Sequence, residues 1–403
     1  MHSAFVRCRF ELRAFRSDYG LQACSGLRHP SVRSSFSTLC AFAALREIFL
    51  PPLFRRERSL GDLLSAICYL LFGSRYLPIR EAMSIPPLRI PAGLAAAYGV
   101  SQVDLRFITQ VQNYIFAYER NGEEFILRLT PQTHRSPEQV RAEVDWVNDL
   151  AGRGVPVAGV VPASDGSLCQ AVELVGEHFT AVSFQKVKGE IGHGNYWTAD
   201  IFFEWGRLTG RLHRESRKYQ PALGRRRASW GDQLPSVIPE SVDDEIAMER
   251  LAKVAEGVHS LPKSSDSYGL IHADLHFWNF GVSPAGLTVS DFGNSEYNWF
   301  VADLGTAVFE AATCGYQKLL RDEFIKGFLE KFVEGYERES TLGAAVEQIP
   351  LFAKVREICI YLVLRRRWKN RTLSEFQRRF FESVRVGVVE NRPFIASRIA
   401  NSQ

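Results

Sequence analysis

The chain has 403 residues, of which 46% are hydrophobic, and a formal net charge of +4. This length is sufficient for two lobes that bury a common core. The charge is unevenly spread: residues 1–80 contain 12 Arg and 5 acidic residues, a net charge of +7, and the remainder carries −3. A slightly acidic main body argues against an enzyme that binds nucleic acid by neutralising phosphates.

The first 88 residues differ in kind from the rest of the chain. They contain no lysine and hold four of the seven cysteines. Their most apolar stretch, Leu63 to Phe72, is too short to span a bilayer, so no membrane segment is expected here. Arg- and Ser-rich, acid-poor sequence is also typical of targeting peptides, but a tidy cleavage pattern is missing. We therefore expect residues 1–88 to be an extension that is disordered or reflects a start codon assigned too early, with the functional product beginning near Met83.

The cysteines indicate a reducing compartment. Their number is odd and they are scattered along the chain, which does not suit the disulfide framework of a secreted protein. We therefore expect a cytoplasmic protein.

A small sheet and one helix are predicted next. Tyr114 to Arg120 and Glu123 to Leu129 alternate as strands around Asn121-Gly122, a dipeptide typical of tight hairpins. Since side chains alternate between the two faces of a strand, Arg128 lies opposite the apolar face of the second strand.

The helix is predicted to begin after Ser136, an N-cap serine followed by a first-turn proline and by glutamine at the reciprocal capping position. Glu143 falls on its apolar stripe. A buried carboxylate needs a partner, and no lysine precedes Lys186. We therefore predict an ion pair between Arg128 and Glu143. The alternative is that Glu143 lies at the edge of the stripe, in water.

A second strand pair and a change of pattern follow. Gln170 to Leu174 and Phe179 to Gln185 are predicted strands, and Lys188-Gly189-Glu190 is the predicted hinge between a lobe of residues 89–188 and a lobe of residues 189–403. Helical patterns dominate beyond the hinge. They cover Tyr196 to Ser216, Tyr316 to Glu339, Ala344 to Trp368 and Ser374 to Val388.

The polar chemistry is concentrated in two loop segments of the second lobe. Asp274 and Asn279 lie in one loop, and a predicted hairpin around Ser283 to Gly286 then returns the chain, so that Asp291 arrives beside Asn279. Phosphoryl transfer requires a carboxylate that orients a hydroxyl and hard oxygen ligands for Mg²⁺ between the phosphates of ATP. These three side chains can fill those roles.

The pattern His272-x-Asp274-x-x-x-x-Asn279, together with Asp291-Phe292-Gly293, resembles the aminoglycoside phosphotransferase and choline kinase family. This resemblance implies an α+β, bilobal protein-kinase-like fold, with a small mixed β-sheet N-lobe that carries one key helix and a mainly α-helical C-lobe. It also implies ATP and Mg²⁺ as cofactors, Asp274 as the catalytic base, Asn279 and Asp291 as metal ligands, and His272 as a residue that braces the loop.

The Asp-Leu at Asp303 is similar to the one that opens the next helix in this family. We interpret Asp303 as an N-cap and loop anchor.

The resemblance also assigns the nucleotide side. Arg128, paired with Glu143, would face the phosphates, Asn113 would lie in the phosphate loop, and the backbone of Ser183 to Lys186 would contact adenine. The chain departs from the family pattern in three places. Arg128 stands where lysine is usual, the loop Thr109 to Asn113 lacks the family's glycines, and Phe277-Trp278 replaces the commoner Pro-Gly.

Other interpretations of these residues remain open. Asp and Asn are frequent in loops because they hydrogen-bond their own backbone. A zinc site at His272, Asp274 and His276 is less favoured, because the remaining histidines form no second cluster at ligand spacing. His276 is therefore open between loop packing and substrate contact.

The sequence gives only general hints about the small molecule that would accept the phosphate. Glu296, Tyr297 and Trp299 follow the Asp-Phe-Gly segment, and a carboxylate with aromatic rings could hold an ammonium group; packing within the helical lobe is the alternative. The expected function is phosphate transfer from ATP to a hydroxyl of a small molecule such as an aminoglycoside, choline, homoserine or another amino alcohol. The alternative is a pseudokinase-like nucleotide-binding or scaffold module without turnover.

Overall fold

A computed structural model describes residues 88–191, 197–232, 244–313 and 321–394. The expectations for residues 1–87, including a start near Met83, fall outside this range. Within it the chain forms a small sheet that carries one long helix, followed by a mainly helical part, which is the α+β arrangement predicted. The lobe boundaries of 89–188 and 189–403 stay a prediction.

A six-stranded sheet follows a short helix α1 (Ala92–Ala97). Its neighbouring strands run antiparallel in the order β1-β2-β3-β6-β4, and β5 also pairs with β6. The two predicted strand pairs are confirmed. The strands are β1 (Arg106–Gln110), β2 (Tyr114–Arg120), β3 (Glu123–Pro131), β4 (Val160–Val161), β5 (Gln170–Leu174) and β6 (Glu177–Gln185).

Helix α2 (Pro137–Gly152) begins where its capping residues predict. The Ser136 hydroxyl accepts the Gln139 N–H at 3.3 Å, and the Gln139 side-chain oxygen accepts the Ser136 N–H at 2.9 Å. These two bonds satisfy donors that the first turn of a helix otherwise leaves unpaired. On β3, Leu127 and Leu129 are fully buried in the sheet's own apolar cluster, so Arg128 is on the face that meets α2.

The second part is reached through residues 186–189. Gly189 has φ +89°, and a Cβ there would lie 2.0 Å from the Val282 carbonyl oxygen, so only glycine fits this close approach. The helices beyond pack around one large apolar core. They are α3 (Ala199–Ser216), α4 (Glu245–His259), α5 (Val301–Thr313), α6 (Arg321–Glu337), α7 (Ile349–Trp368) and α8 (Glu375–Val389).

Two small antiparallel sheets lie among these helices and hold the loops of interest. One contains β7 (Glu190–Ile191), β9 (Phe280–Ser283) and β10 (Gly286–Val289), and the other pairs β8 (Tyr268–Ile271) with β11 (Glu296–Trp299). Among the described residues, none of the helices combines the length and apolar composition that a membrane crossing requires.

Candidate active site

The predicted hairpin brings the two loop segments together. β9 and β10 are in register with Phe280 opposite Val289, which is the last pair at the open end. Beyond it the Ser290 N–H donates to the Asn279 carbonyl oxygen at 2.8 Å. Asn279 and Asp291 are therefore at the same end of the hairpin, as the spacing predicts.

Asp274 is held on both carboxylate oxygens. The Asn294 side-chain amide donates to Oδ2 at 3.1 Å, and Nη2 of Arg356 donates to Oδ1 at 2.5 Å. Nη2 of Arg356 also donates to Oε1 of Glu310 at 3.0 Å. These hydrogen bonds fix the orientation of the Asp274 carboxylate. Because the side chain is 17% exposed, it can still be reached from solvent.

The Asn279 side chain is oriented by the same loop. Its Nδ2 donates to the Asp274 backbone carbonyl at 2.8 Å, which leaves the amide oxygen as the atom able to bind a cation. Asp291 is exposed and has φ +61° in the left-handed region, an uncommon conformation for a residue other than glycine. An amide oxygen and a carboxylate are hard donors that suit Mg²⁺, which usually takes one or two protein ligands and completes its shell with phosphates and water. The residues present therefore fit the metal.

His272 braces the loop, as the resemblance implies. Its Nε2 lies 3.1 Å from the Ser290 carbonyl oxygen. Since a carbonyl can only accept, Nε2 carries the proton. Nδ1 is then free to accept the Asp274 N–H at 3.3 Å. The ring therefore joins the loop that carries Asp274 to the segment that precedes Asp291.

Asp303 is a loop anchor, but the interpretation as an N-cap is wrong. α5 begins at Val301, so Asp303 lies inside its first turn. Its carboxylate accepts the Ala273 N–H at 2.7 Å, the His272 N–H at 3.0 Å and Nε2 of His213 at 3.1 Å. Ala273 has φ +63°, and these bonds stabilise that strained backbone directly before Asp274.

The ion pair predicted on the sheet side is present. Nη1 and Nη2 of Arg128 donate to the two carboxylate oxygens of Glu143 at 2.7 and 2.9 Å, and both side chains are buried. Although burial favours the neutral acid, the Arg128 guanidinium holds the pKa of Glu143 below its ordinary value. Glu143 is therefore not at the edge of the helix stripe in water, and the planar guanidinium uses its paired donors where lysine would offer a point charge.

The adenine-side assignment needs correction. Ser183 lies inside β6 between Leu127 and Val161, and its hydroxyl is 2.7 Å from the Tyr118 hydroxyl, so it is fully buried in the sheet. The backbone N–H of Lys186 donates to the Glu124 carbonyl oxygen at 3.2 Å. β6 ends at Gln185, as the sequence pattern predicts. Because the Lys186 N–H is already used, the connector available for a base begins after Lys186.

The phosphate-loop residues form a tight turn between β1 and β2. The Val111 N–H donates to the Asn113 carbonyl oxygen at 3.4 Å. The side-chain oxygen of Asn113 is buried and has no hydrogen-bond partner among the described residues. Buried polar atoms usually have a partner, and contact between Asn113 and a ligand stays a prediction.

The candidate acceptor residues lie mainly in packed surroundings. Nδ1 of His276 accepts the Trp278 N–H at 3.2 Å, and its Nε2 is 3.6 Å from Oδ1 of Asp274, with the ring almost fully buried. Trp299 is buried and donates from its indole to the Pro262 carbonyl oxygen at 3.1 Å. These contacts favour the packing alternative for both residues.

Glu296 and Tyr297 are held by neighbouring side chains. Burial raises the pKa of Glu296 to about 8, and the Asn298 amide donates to it at 2.9 Å. The Tyr297 ring lies under the Arg226 guanidinium, 4.1 Å from its centroid. A buried carboxyl and an already occupied ring are poorly placed to hold a substrate ammonium.

Several residues of the site were not identified from the sequence. Asn294, three residues after Asp291, could have been found from its place in the motif. The contacts of Arg356 and Glu310 join different helices and have no local signal. A further missed residue, Arg227, is buried beside the same segment.

Comparison with known proteins agrees with this geometry. The model of the phosphotransferase enzyme family matches residues 108–344, more than half of the chain. The chain is 29% identical over 320 residues to amicoumacin kinase from Bacillus subtilis (strain 168), covering 76% of this chain and 94% of that protein.

Solved structures give the same result. An amicoumacin kinase in complex with AMP-PNP and Ca²⁺ superimposes with a TM-score of 0.71 at 26% identity, covering 77% of this chain and 95% of that one. A microcompartment-associated aminopropanol kinase gives a TM-score of 0.59 at 26% identity, covering 73% and 93%. The fold is therefore the bilobal, protein-kinase-like one predicted, and the chain belongs to the phosphotransferase enzyme family.

Proposed function

We propose that this chain is a cytoplasmic, ATP-dependent kinase that uses Mg²⁺ and transfers the γ-phosphate to a hydroxyl group of a small molecule. Membership of the phosphotransferase family supports the reaction type. The observation that carries the proposal is the placement of Asn279 and Asp291 at one end of the β9–β10 hairpin, with Asp274 bonded to Asn279.

Each residue has a defined task in this proposal. Asp274 orients the acceptor hydroxyl and takes up its proton. Asn279 and Asp291 would hold the divalent ion, which neutralises negative charge between the phosphates when bound. Arg128, fixed by Glu143, would contact the phosphates from the sheet side.

The acceptor class follows from the charges near Asp274. Arg356 is one cation between two carboxylates, those of Asp274 and Glu310. Carboxylates this close to the proposed base favour an acceptor that bears an ammonium group near its hydroxyl. The relatives named amicoumacin kinase and aminopropanol kinase support an acceptor of this amino-alcohol class.

Turnover by the purified full chain tests the proposal. ATP and Mg²⁺ are combined with amicoumacin, aminopropanol, homoserine, choline and an aminoglycoside, and phosphorylated product is measured by mass spectrometry. Asp274→Ala should lower kcat by about 10² to 10⁴-fold, the usual contribution of a positioned base, while ATP still binds. Turnover that is unaffected by this substitution would contradict the assignment of the base.

One observation favours the second candidate, a nucleotide-binding module without turnover. The turn at Thr109–Asn113 contains no glycine, and a backbone that carries side chains approaches phosphate less closely. Binding of a fluorescent ATP analogue with no product from any acceptor in the panel would favour this candidate.

A further inference from the structure

Three consecutive arginines after α3 connect the two parts of the candidate site. Nη1 of Arg225 donates to both carboxylate oxygens of Asp145 on α2, at 3.0 and 2.9 Å. The Arg226 guanidinium lies over the ring of Tyr297 on β11. Arg227, the third, is only 5% exposed. The run therefore touches the helix that carries Glu143 and the strand that follows Asp291.

Arg227 makes the central contacts, and its partners are backbone carbonyls. Its Nε donates to the Ser295 carbonyl at 2.8 Å, its Nη2 to the Gly293 carbonyl at 2.6 Å and its Nη1 to the Gln139 carbonyl at 2.9 Å. All three guanidinium nitrogens are therefore used.

The positions of these carbonyls are informative. Gln139 is one helical turn before Glu143 on α2, and Gly293 is two residues after Asp291. A single planar guanidinium therefore fixes the first turn of α2 against the segment that carries Asp291. Because the N–H donors of a guanidinium have a rigid, planar arrangement, the distance between α2 and the Asp291 segment is fixed as well.

This is an unusual way to bury a cation. None of the ion pairs found among the described residues involves Arg227, whose hydrogen-bond partners are backbone carbonyls. Burial lowers the pKa of its guanidinium to about 10. The side chain is therefore still charged at neutral pH, and its three charge-assisted bonds offset the loss of hydration. Since its carbonyl partners belong to α2 and to the segment after Asp291, the bonds of Arg227 set the position of these two elements.

We propose that Arg227 is a positioning residue for the phosphoryl-transfer site. It holds α2 against the Asp291 segment, so that the Arg128–Glu143 pair keeps its position relative to the proposed metal ligands. Arg225 supports it through Asp145. This inference rests on the proposed function. It implies that α2 is kept in its working position by the chain itself, without a separate activating event.

The test measures binding of a fluorescent ATP analogue with Mg²⁺ to the full chain. Arg227→Met should weaken this binding by about ten- to a hundredfold, the equivalent of losing charge-assisted bonds. Arg227→Lys, which keeps the charge and some of the donors, should recover part of the affinity. Hydrogen exchange of the α2 amides should be faster in both variants than in the wild type.

Arg217→Met is the matched control. Arg217 also bonds a carbonyl, that of Asp266 at 2.8 Å, and lies 4.4 Å from the ring centroid of Phe300, but it has no contact with α2. Its substitution should lower thermal stability to a similar extent and leave affinity for the ATP analogue unchanged. This comparison separates positioning from general stabilisation.

A double-mutant cycle with Glu143→Gln tests the route of the effect. If Arg227 acts through the Glu143 pair, the double variant should bind the ATP analogue about as well as the weaker single variant. Wild-type affinity in Arg227→Met, or losses that add independently in the cycle, would overturn the proposal. A wild-type protein that does not bind the analogue at all would instead refute the proposed function.

Discussion

The sheet side and the loop around Asp274 hold their buried charges in different ways. On the sheet side, Glu143 is bound by one opposite charge, that of Arg128, with both side chains out of water. In the loop, Asp303 is bound by two backbone N–H groups and by His213. The first arrangement depends on one side chain, whereas the second is spread over several neutral donors, so their responses to substitution should differ.

Glu143→Gln should have the largest effect on folding. It leaves the Arg128 guanidinium buried without its counter-charge, which typically costs about 3–5 kcal/mol. The free energy of unfolding, measured with urea, should fall by that amount. Glu138→Gln, on the exposed first turn of the same helix, is the control and should change it little.

The pair can also be removed as a unit. Arg128→Met combined with Glu143→Leu should be more stable than either single variant, since no unpaired charge is left behind. A double variant less stable than both single variants would show that the pair is not the source of the effect.

Asp303→Asn tests the distributed arrangement. Both carboxylate oxygens accept N–H groups, and an asparagine can offer only one oxygen, so its amide group must face a donor. We expect a loss of about 1–3 kcal/mol in stability and a lower kcat, because Ala273 directly precedes Asp274, the proposed base. Asp165→Asn, in an exposed turn where the side chain accepts the Ser167 N–H at 2.9 Å, is the control. Equal losses in the two variants would contradict a special role for Asp303.

Whether a contact is local or joins distant elements decides how much of the site could be predicted from the sequence. Asp274, Asn279 and Asp291 are joined by a short hairpin, so their meeting follows from local spacing. The Arg128–Glu143 pair also follows, because the period of a strand and that of a helix decide which face each residue occupies. Six of the eleven strands and most helices of the described residues were predicted for the same reason, whereas β1, β4, β7, β8 and β11 were not.

Contacts between distant elements could not be predicted. Arg356 and Asp274 are 82 residues apart, and nothing in the pattern of α7 distinguishes this arginine from its neighbours. Helix α4 was missed because it buries only Ala247, Leu251 and Val258 among many charged residues, which weakens its apolar stripe.

Asn294→Leu tests how far the orientation of Asp274 depends on a neutral donor. The substitution removes the 3.1 Å bond to Oδ2 of Asp274 but leaves Arg356 on Oδ1. We expect kcat/KM for the acceptor to fall about tenfold, which corresponds to about 1.4 kcal/mol. Arg135→Met removes the 2.8 Å bond at the other end of the Asn294 amide and should have a smaller effect. A larger loss in Arg135→Met than in Asn294→Leu would reverse this interpretation.

Glu296 shows a third way to bury a carboxyl group, which is to keep it protonated. Its pKa is raised to about 8, mainly by burial, so the folded protein binds this proton more tightly than the unfolded chain. The stabilisation is complete below the ordinary pKa of a glutamate and is lost as pH rises through about 8.

Glu296→Gln keeps an oxygen for the Asn298 amide but cannot ionise. Between pH 6 and 8 the wild type should therefore lose about 2 kcal/mol relative to this variant in urea unfolding. Glu119→Gln, exposed on β2, should follow the wild type. An identical pH slope in Glu296→Gln and wild type would mean that the carboxyl is already ionised in the folded protein and is held, like Glu143 and Asp303, by donors.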